Sequence, residues 1–233
     1  MAGKLFGLGV GPGDPWLLTL KAKKILDEVD VIAYPVKEKG EKSTALHIIK
    51  EVIDLKGREI AEIIFRMDRS LEKREQCRRE AADQLMRILD TGKNVAMITL
   101  GDTAIYSTYT YVHQMIKKAG YETEITAGIS SFSGGAAMAE ISLVEGNEGL
   151  GVVSSLKGRE NLEKALDCFE NLVLMKAGSS MELIREVLSE RGLLDHAMVF
   201  SNIGLCDEYI GALDMERQYG YFTTIIVKRN GLF

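Results

Sequence analysis

Short β-branched apolar runs alternate with longer amphipathic stretches along almost the whole of this 233-residue chain. Few folds accept that alternation. Strands buried on both faces, each followed by a covering helix, build layered α/β domains with mostly parallel sheets. Leu5–Val10 reads as the first strand and Thr19–Val29 as the helix behind it, with Thr19 as cap and Ala22, Ile25, Leu26 and Val29 at helical spacing. Val31–Tyr34 is strand-like and ends at Pro35. Ser43–Ile53 reads as a helix, Glu59–Phe65 as a strand, and Leu71–Leu89 as a long solvated helix with one apolar face. Asn94–Leu100 follows as a strand, then Tyr106–Ala119 as a helix that Gly120 can terminate.

The second half has the same style without a residue-level repeat. Strands are expected at Glu122–Thr126, Gly151–Ser154, Leu172–Lys176, Met198–Ile203 and Phe222–Lys228. Helices are expected at Ser131–Glu140, Arg159–Cys168 and Met181–Arg191. The last strand follows a turn-rich stretch without a strong helix, which predicts some antiparallel pairing there. No Pro- or Ser-rich linker parts the halves. The expected boundary is therefore a tight connection near Ala127, giving α/β domains over residues 1–126 and 127–233.

Hydrophobic residues make up 46% of the chain and charged ones 27%, proportions that argue against long disorder. The net charge of −5 argues against a general nucleic-acid binder, which needs a basic face for phosphates. Cys77, Cys168 and Cys206 are odd in number and widely spaced, neither a disulfide framework nor a zinc pattern, and they suit a reducing compartment. No apolar run approaches the roughly 18 residues of a membrane span. The first apolar run is broken by Gly7, Gly9, Gly11 and Gly13, unlike a signal peptide. A cytoplasmic protein without membrane or nucleic-acid partners is the expectation. His47, His113 and His196 show no ligand spacing, so no protein-bound metal is expected.

Gly7-Leu-Gly-Val-Gly-Pro-Gly-Asp14 leaves the first strand and invites a dinucleotide-binding reading. The spacing fails. Counted from Gly7 the third glycine falls on Pro12, and counted from Gly9 it falls on Asp14. Pro12 also lacks the backbone donor a phosphate cradle uses. A strand-to-helix turn with positive φ angles remains one reading, and close approach of a bulky flat ligand at a strand's carboxyl end is the other. Thr99-Leu-Gly-Asp-Thr-Ala-Ile-Tyr106-Ser-Thr108 forms a second such junction, where Asp102 can cap a helix or accept from a ligand. Gly128-Ile-Ser-Ser131 forms a third, offering two hydroxyls and backbone amides.

The string Gly-Val-Gly-Pro-Gly-Asp-Pro-Trp-Leu-Leu-Thr-Leu-Lys-Ala at 9–22 resembles the opening of the tetrapyrrole methylases. Asp30-Val-Ile-Ala-Tyr-Pro35, Gly101-Asp102 with Tyr106, Gly128-Ile-Ser-Ser131 and Tyr221-Phe-Thr-Thr-Ile-Ile-Val227 resemble later motifs of that family in the same order. Tyr34-Pro35 with its lysine-bearing loop, Tyr106-Ser-Thr108, Met175-Lys176 and Tyr221-Phe222 are similar to the branch that methylates C-20 of precorrin-2 or cobalt-factor II. Thr103 and Ala127 depart from the family pattern, which commonly has prolines there, and suggest softer loops.

The resemblance implies two α/β domains with a cofactor trough between them, distinct from a Rossmann methyltransferase, and a homodimer. It implies S-adenosylmethionine as cofactor, with Pro35, Gly101, Asp102, Ile105, Ser130, Ser131, Met175, Gly204 and Thr224 as its neighbours. Gly9, Gly11, Pro12, Gly13 and Asp14 would then face the tetrapyrrole, which can already carry cobalt. Asp102 is expected to anchor the cofactor, and Tyr106 or Asp14 to position the substrate. The ring is a polycarboxylate, so local cations should offset the protein's negative balance; Lys37, Lys39 and Lys42, or Lys157 and Arg159, are the candidates. Methyl transfer from a sulfonium asks for alignment and exclusion of water, and no covalent protein nucleophile is expected. Another ring carbon, a diphthamide-type protein substrate and a non-catalytic tetrapyrrole sensor are the alternative readings. A nicotinamide oxidoreductase is a further one, weakened by the glycine spacing.

Overall fold

The computed structural model describes residues 1–66, 70–154 and 158–232. The chain divides into two compact units, Met1–Ser130 and Ser131–Phe233. The first carries strands β1 (Leu5–Gly9), β2 (Val31–Val36), β3 (Glu59–Ile64), β4 (Val95–Thr99) and β5 (Thr123–Thr126). Its helices are α1 (Leu20–Glu28), α2 (Thr44–Lys50), α3 (Leu71–Leu89) and α4 (Tyr109–Lys118). All ladders of its sheet are parallel, in the order β3-β2-β4-β1-β5. Every strand therefore ends at one edge.

Local chemistry starts the helices where the sequence expects. The Thr19 hydroxyl accepts from the Ala22 amide at 3.2 Å, and the Ser43 hydroxyl accepts from Leu46 at 3.2 Å. Ala22, Ile25 and Leu26 bury one face of α1. On the other side of the sheet, α3 and α4 pack Ala81, Leu85, Leu89, Val112 and Ile116 over Leu5, Val31, Val95 and Met97.

Among the boundaries that differ from the sequence reading, two bear on the site. Pro35 does not end its strand, because β2 continues to Val36. The Val36 carbonyl accepts from the Phe65 amide, so residue 36 turns its polar groups toward β3 and residue 35 turns its own the other way. The β2–β4 ladder has already run out at Ala33, and the missing Pro35 donor costs nothing there. The second difference is at Tyr106, which stands at φ +49° outside any helix; α4 begins only at Tyr109.

The second unit contains α5 (Ser131–Met138), β6 (Leu150–Ser154), α6 (Arg159–Cys168), β7 (Asn171–Met175), α7 (Met181–Glu190), β8 (Ala197–Ser201), β9 (Tyr209–Ala212) and β10 (Thr223–Lys228). The sheet order is β6-β7-β10-β8-β9, with only β6 and β7 parallel. The antiparallel pairing expected of the last strand is present, together with a strand, β9, that the sequence reading passed over. On one face Ile184, Val187 and Leu188 of α7 join Leu162 and Leu166 of α6 over the strands. Full burial of each such side chain stabilises by about 1.5–3 kcal/mol. On the other face α5 lies close, since a Cβ on Gly135 would sit 2.7 Å from the Phe200 ring. Lys228 is buried in β10, and its ammonium donates to the Ser142 carbonyl at 2.8 Å and the Glu145 carboxylate at 3.3 Å.

Candidate active site

In the first unit β1 lies between β4 and β5, so the loops leaving these three strands are neighbours. The first two are joined backbone to backbone. The Gly101 amide donates to the Gly11 carbonyl at 2.7 Å, and the Gly11 amide to the Gly101 carbonyl at 3.2 Å, a short antiparallel bridge outside the parallel sheet. Both glycines have positive φ, +83° and +70°, which explains the residue type. A Cβ on Gly9 would fall 2.6 Å from both the Gly101 carbonyl oxygen and the Gly128 nitrogen. One on Gly128 would fall 2.2 Å from that same oxygen. Much of the glycine content is thus required by the loops' approach to one another.

Asp102 fastens the assembly. One carboxylate oxygen accepts from the Ala104 amide at 2.7 Å, capping its own loop, and the other accepts from the Gly128 amide at 2.8 Å. The alternatives of helix cap and ligand group resolve locally into a cap and a cross-loop clamp, although a carboxylate retains lone pairs for another donor. Thr103 is fully buried, and its hydroxyl donates to the Thr126 carbonyl at 3.1 Å. The departure from proline supplies a tie between loops rather than a soft point. Tyr106 projects half-exposed from its left-handed backbone. Asp14 accepts from the Trp16 amide at 2.8 Å and caps the 3-10 turn Pro15–Leu17. Gly11, Pro12 and Gly13 are buried, Ile105 is half-buried, and Ser130 is buried.

Pro35, Lys37 and Lys39 lie at the end of β2, which β4 separates from β1. Glu62 shapes their loop: it accepts from the Tyr34 hydroxyl and, through its second oxygen, from the Gly40 amide, both at 3.1 Å. Burial first, and the Glu62 carboxylate second, push the Tyr34 hydroxyl above its usual pKa. Lys37, Lys39 and Lys42 are exposed, and Lys37 approaches Glu41 only to 3.8 Å. Arg159 is engaged by Glu163, Glu186 and Glu190, and Lys157 lies outside the described residues.

Three residues singled out in the second unit come together. Thr224 lies opposite Met175 in the β7–β10 ladder, and the Ser131 and Thr224 hydroxyls are 2.9 Å apart. Beside them Ser201 and Thr223 form a second hydroxyl pair at 3.0 Å, which the sequence reading missed. Gly204 follows β8 separately, at φ +69°, with its amide donating to Glu208 at 2.6 Å. Lys176 and Asn202, at the ends of β7 and β8, hold positive φ angles of +57° and +52° that side-chain-bearing residues rarely adopt. The Lys176 ammonium lies 5.5 Å from the Tyr221 ring centroid.

Residues 4–216 match the family model of the tetrapyrrole (corrin/porphyrin) methylases. The chain belongs to that family. This tetrapyrrole methylase is 37% identical to a probable cobalt-precorrin-2 C(20)-methyltransferase of Methanocaldococcus jannaschii, over 97% of this chain and 96% of the relative. It is 32% identical to a cobalt-precorrin-2 C(20)-methyltransferase of Salmonella typhimurium, over 98% of both chains. The X-ray structure of a cobalamin biosynthetic enzyme, cobalt precorrin-4 methyltransferase, superposes with a TM-score of 0.71 over 97% of this chain and 94% of that one. At 21% identity that likeness speaks for the fold, which is not a Rossmann one.

The family's methyl donor is S-adenosylmethionine, and the residues at hand fit it. Gly101 faces open space, its nearest neighbour beyond the chain-adjacent atoms being the Ile129 carbonyl 4.0 Å from where a Cβ would lie. Asp102 beside it offers anionic acceptor capacity for donors such as an ammonium or ribose hydroxyls. Among the described residues no group of three or more His, Cys, Asp or Glu could hold a metal, and no helix is long and apolar enough to cross a membrane.

Proposed function

We propose that this tetrapyrrole methylase transfers a methyl group to C-20 of a precorrin-2-type ring, with cobalt-factor II as its preferred substrate. The observation that carries this reading is the similarity, over nearly the full length of both chains, to two relatives named for cobalt-precorrin-2 C(20)-methylation. S-adenosylmethionine supplies an electrophilic methyl on a sulfonium with a neutral leaving group. The protein's task is then alignment in a site shielded from water.

The three stitched loops suit that task. Asp102 holds the β4 loop against the β5 loop and keeps an anionic acceptor toward the cofactor. Gly101 leaves room for the cofactor to approach backbone, and Ser130, Ser131, Met175 and Thr224 complete its surroundings with Pro35, Ile105 and Gly204. The Gly9–Asp14 loop meets the ring, Tyr106 positions its edge, and Lys37 and Lys39 receive its carboxylates. The enzyme works as a cytoplasmic homodimer.

The test is incubation with labelled S-adenosylmethionine and, separately, cobalt-factor II and metal-free precorrin-2, with products read by mass and position-specific labelling. One added methyl at C-20, faster on the cobalt ring, is the expected result. Faster turnover of the metal-free ring reverses the metal assignment. Cofactor binding with no methylation of either ring removes the C-20 assignment.

A further inference from the structure

Trp16 is the only tryptophan in the chain, and it is 85% exposed. An indole left in water forgoes one of the largest burial gains open to any side chain. The backbone beneath it is fixed. Pro15 sets the first position of the 3-10 turn, and Asp14 accepts from the Trp16 amide at 2.8 Å. The turn folds back on the glycine loop, where a Cβ on Gly11 would lie 3.3 Å from the Leu17 carbonyl oxygen and 3.5 Å from its Cβ. Trp16 therefore stands at the rim of the loop that bridges to Gly101. Leu20, four residues on, is equally bare at 88%. Tyr111, another exposed aromatic of this unit, is covered by the Arg78 guanidinium 3.5 Å from its ring centroid.

We propose that Trp16 is a stacking ledge for the face of the tetrapyrrole, a substrate contact beyond those already assigned. This rests on the proposed reading of the site. Two features favour the ring as occupant. The ledge is continuous with the Gly9–Asp14 loop. An indole has two side-chain torsions, so a platform on a fixed backbone loses little entropy on binding.

The experiment uses the full chain, cobalt-factor II followed by its visible absorbance, and S-adenosylmethionine followed by calorimetry. W16A should bind the ring about tenfold more weakly and W16F two- to threefold more weakly, as expected for loss and partial retention of one stacked aromatic contact. Both should bind S-adenosylmethionine like the wild type, and the loss should appear in KM for the ring rather than in kcat. In the wild type, bound ring should shield the single tryptophan from acrylamide. W16A with the wild-type ring affinity overturns the ledge while leaving the C-20 reading intact. An equal loss of cofactor affinity, or a change of W16A from dimer to monomer in sedimentation, also overturns it by assigning Trp16 to another contact. Wild-type protein that binds neither ring form overturns the proposed function and the ledge with it.

Discussion

The two units stack helices on five-stranded sheets and finish their strand ends with a different balance of backbone and side-chain ties. In the first every ladder is parallel, so the chain leaves β1, β4 and β5 at one edge and must be tied there by loops. The ties are the Gly11–Gly101 backbone bridge, close backbone packing at Gly9 and Gly128, and the Asp102 and Thr103 side chains that reach the β5 loop. In the second, β10 enters where β7 and β8 leave, and the ladder itself reaches the edge. Its polar groups come from strand and helix side chains, the Ser131–Thr224 and Ser201–Thr223 hydroxyl pairs. The parallel edge thus has little room for a Cβ at Gly9 and Gly128. The mixed edge has one such position, Gly178, whose Cβ would meet the Gly220 carbonyl oxygen at 2.1 Å, and otherwise relies on hydroxyl pairs.

The sharpest way to break this contrast is Gly128→Ala. Its Cβ would collide with backbone 2.2 Å away, and backbone cannot rotate aside as a side chain can. A loss of about 3 kcal/mol or more in urea unfolding followed by circular dichroism is expected. Thr224→Val, removing one half of a hydroxyl pair, should cost only about 1 kcal/mol. If Thr224→Val proves the more damaging, the distinction between the edges is wrong.

Asp102→Ala comes next. It leaves the Ala104 and Gly128 amides without their acceptor, at about 1–3 kcal/mol for each group that water does not reach. Asn, keeping one acceptor oxygen, should recover part of that stability and little of the cofactor affinity.

Smaller effects of pH sharpen the account of the first unit. Burial, and then the nearby Lys117, hold His113 below its ordinary pKa of 6.5. The folded state thus binds this proton less readily than the unfolded chain. Stability from this site is complete above about 6.5 and falls as the pH drops toward the folded value. Replacing His113 with Gln should flatten urea midpoints measured between pH 8 and pH 5.5. The smallest effect is at Glu124, held at about 2 by Lys21 and then Lys4. Its contribution is present above its ordinary 4.5 and is lost as the pH falls from there to about 2. Because the side chain is 30% exposed, Glu124→Gln should cost at most about 1 kcal/mol at neutral pH, and less in high salt.

The layered α/β class was legible because apolar period and helix caps act locally; Thr19 and Ser43 cap their helices as their sequence neighbours imply. Strand β9 was not legible. It is four residues long, includes Gly211, and pairs only with β8 at the sheet's margin, so no apolar alternation announces it. Tyr106 reads as helical by composition, yet the turn that Asp102 and Ser107 shape holds it at positive φ. At the candidate site the individual loops were visible as glycine-bearing strand-to-helix junctions. That the Gly101 and Gly128 junctions can converge on one crevice follows from their place in consecutive strand–helix units. The contacts do not, since nothing local records which of Gly9, Gly101 and Gly128 faces which. The lone spaces at Gly7 and Gly9 read equally well as room for a flat ligand, whereas a Cβ at Gly7 would strike the Tyr109 ring at 2.0 Å.

The small bridge between Gly11 and Gly101 has a kinetic consequence. Neither residue can find its partner until β1 and β4 lie side by side, so this seam is absent from any state in which those two strands are unpaired. Its amide protons should exchange with deuterium only when the whole unit opens, far more slowly than those of the lysine-bearing loop after β2. A chain released from synthesis would therefore have no fractional capacity for its ligands. It would acquire the floor of the site in one step, at the moment the parallel sheet closes.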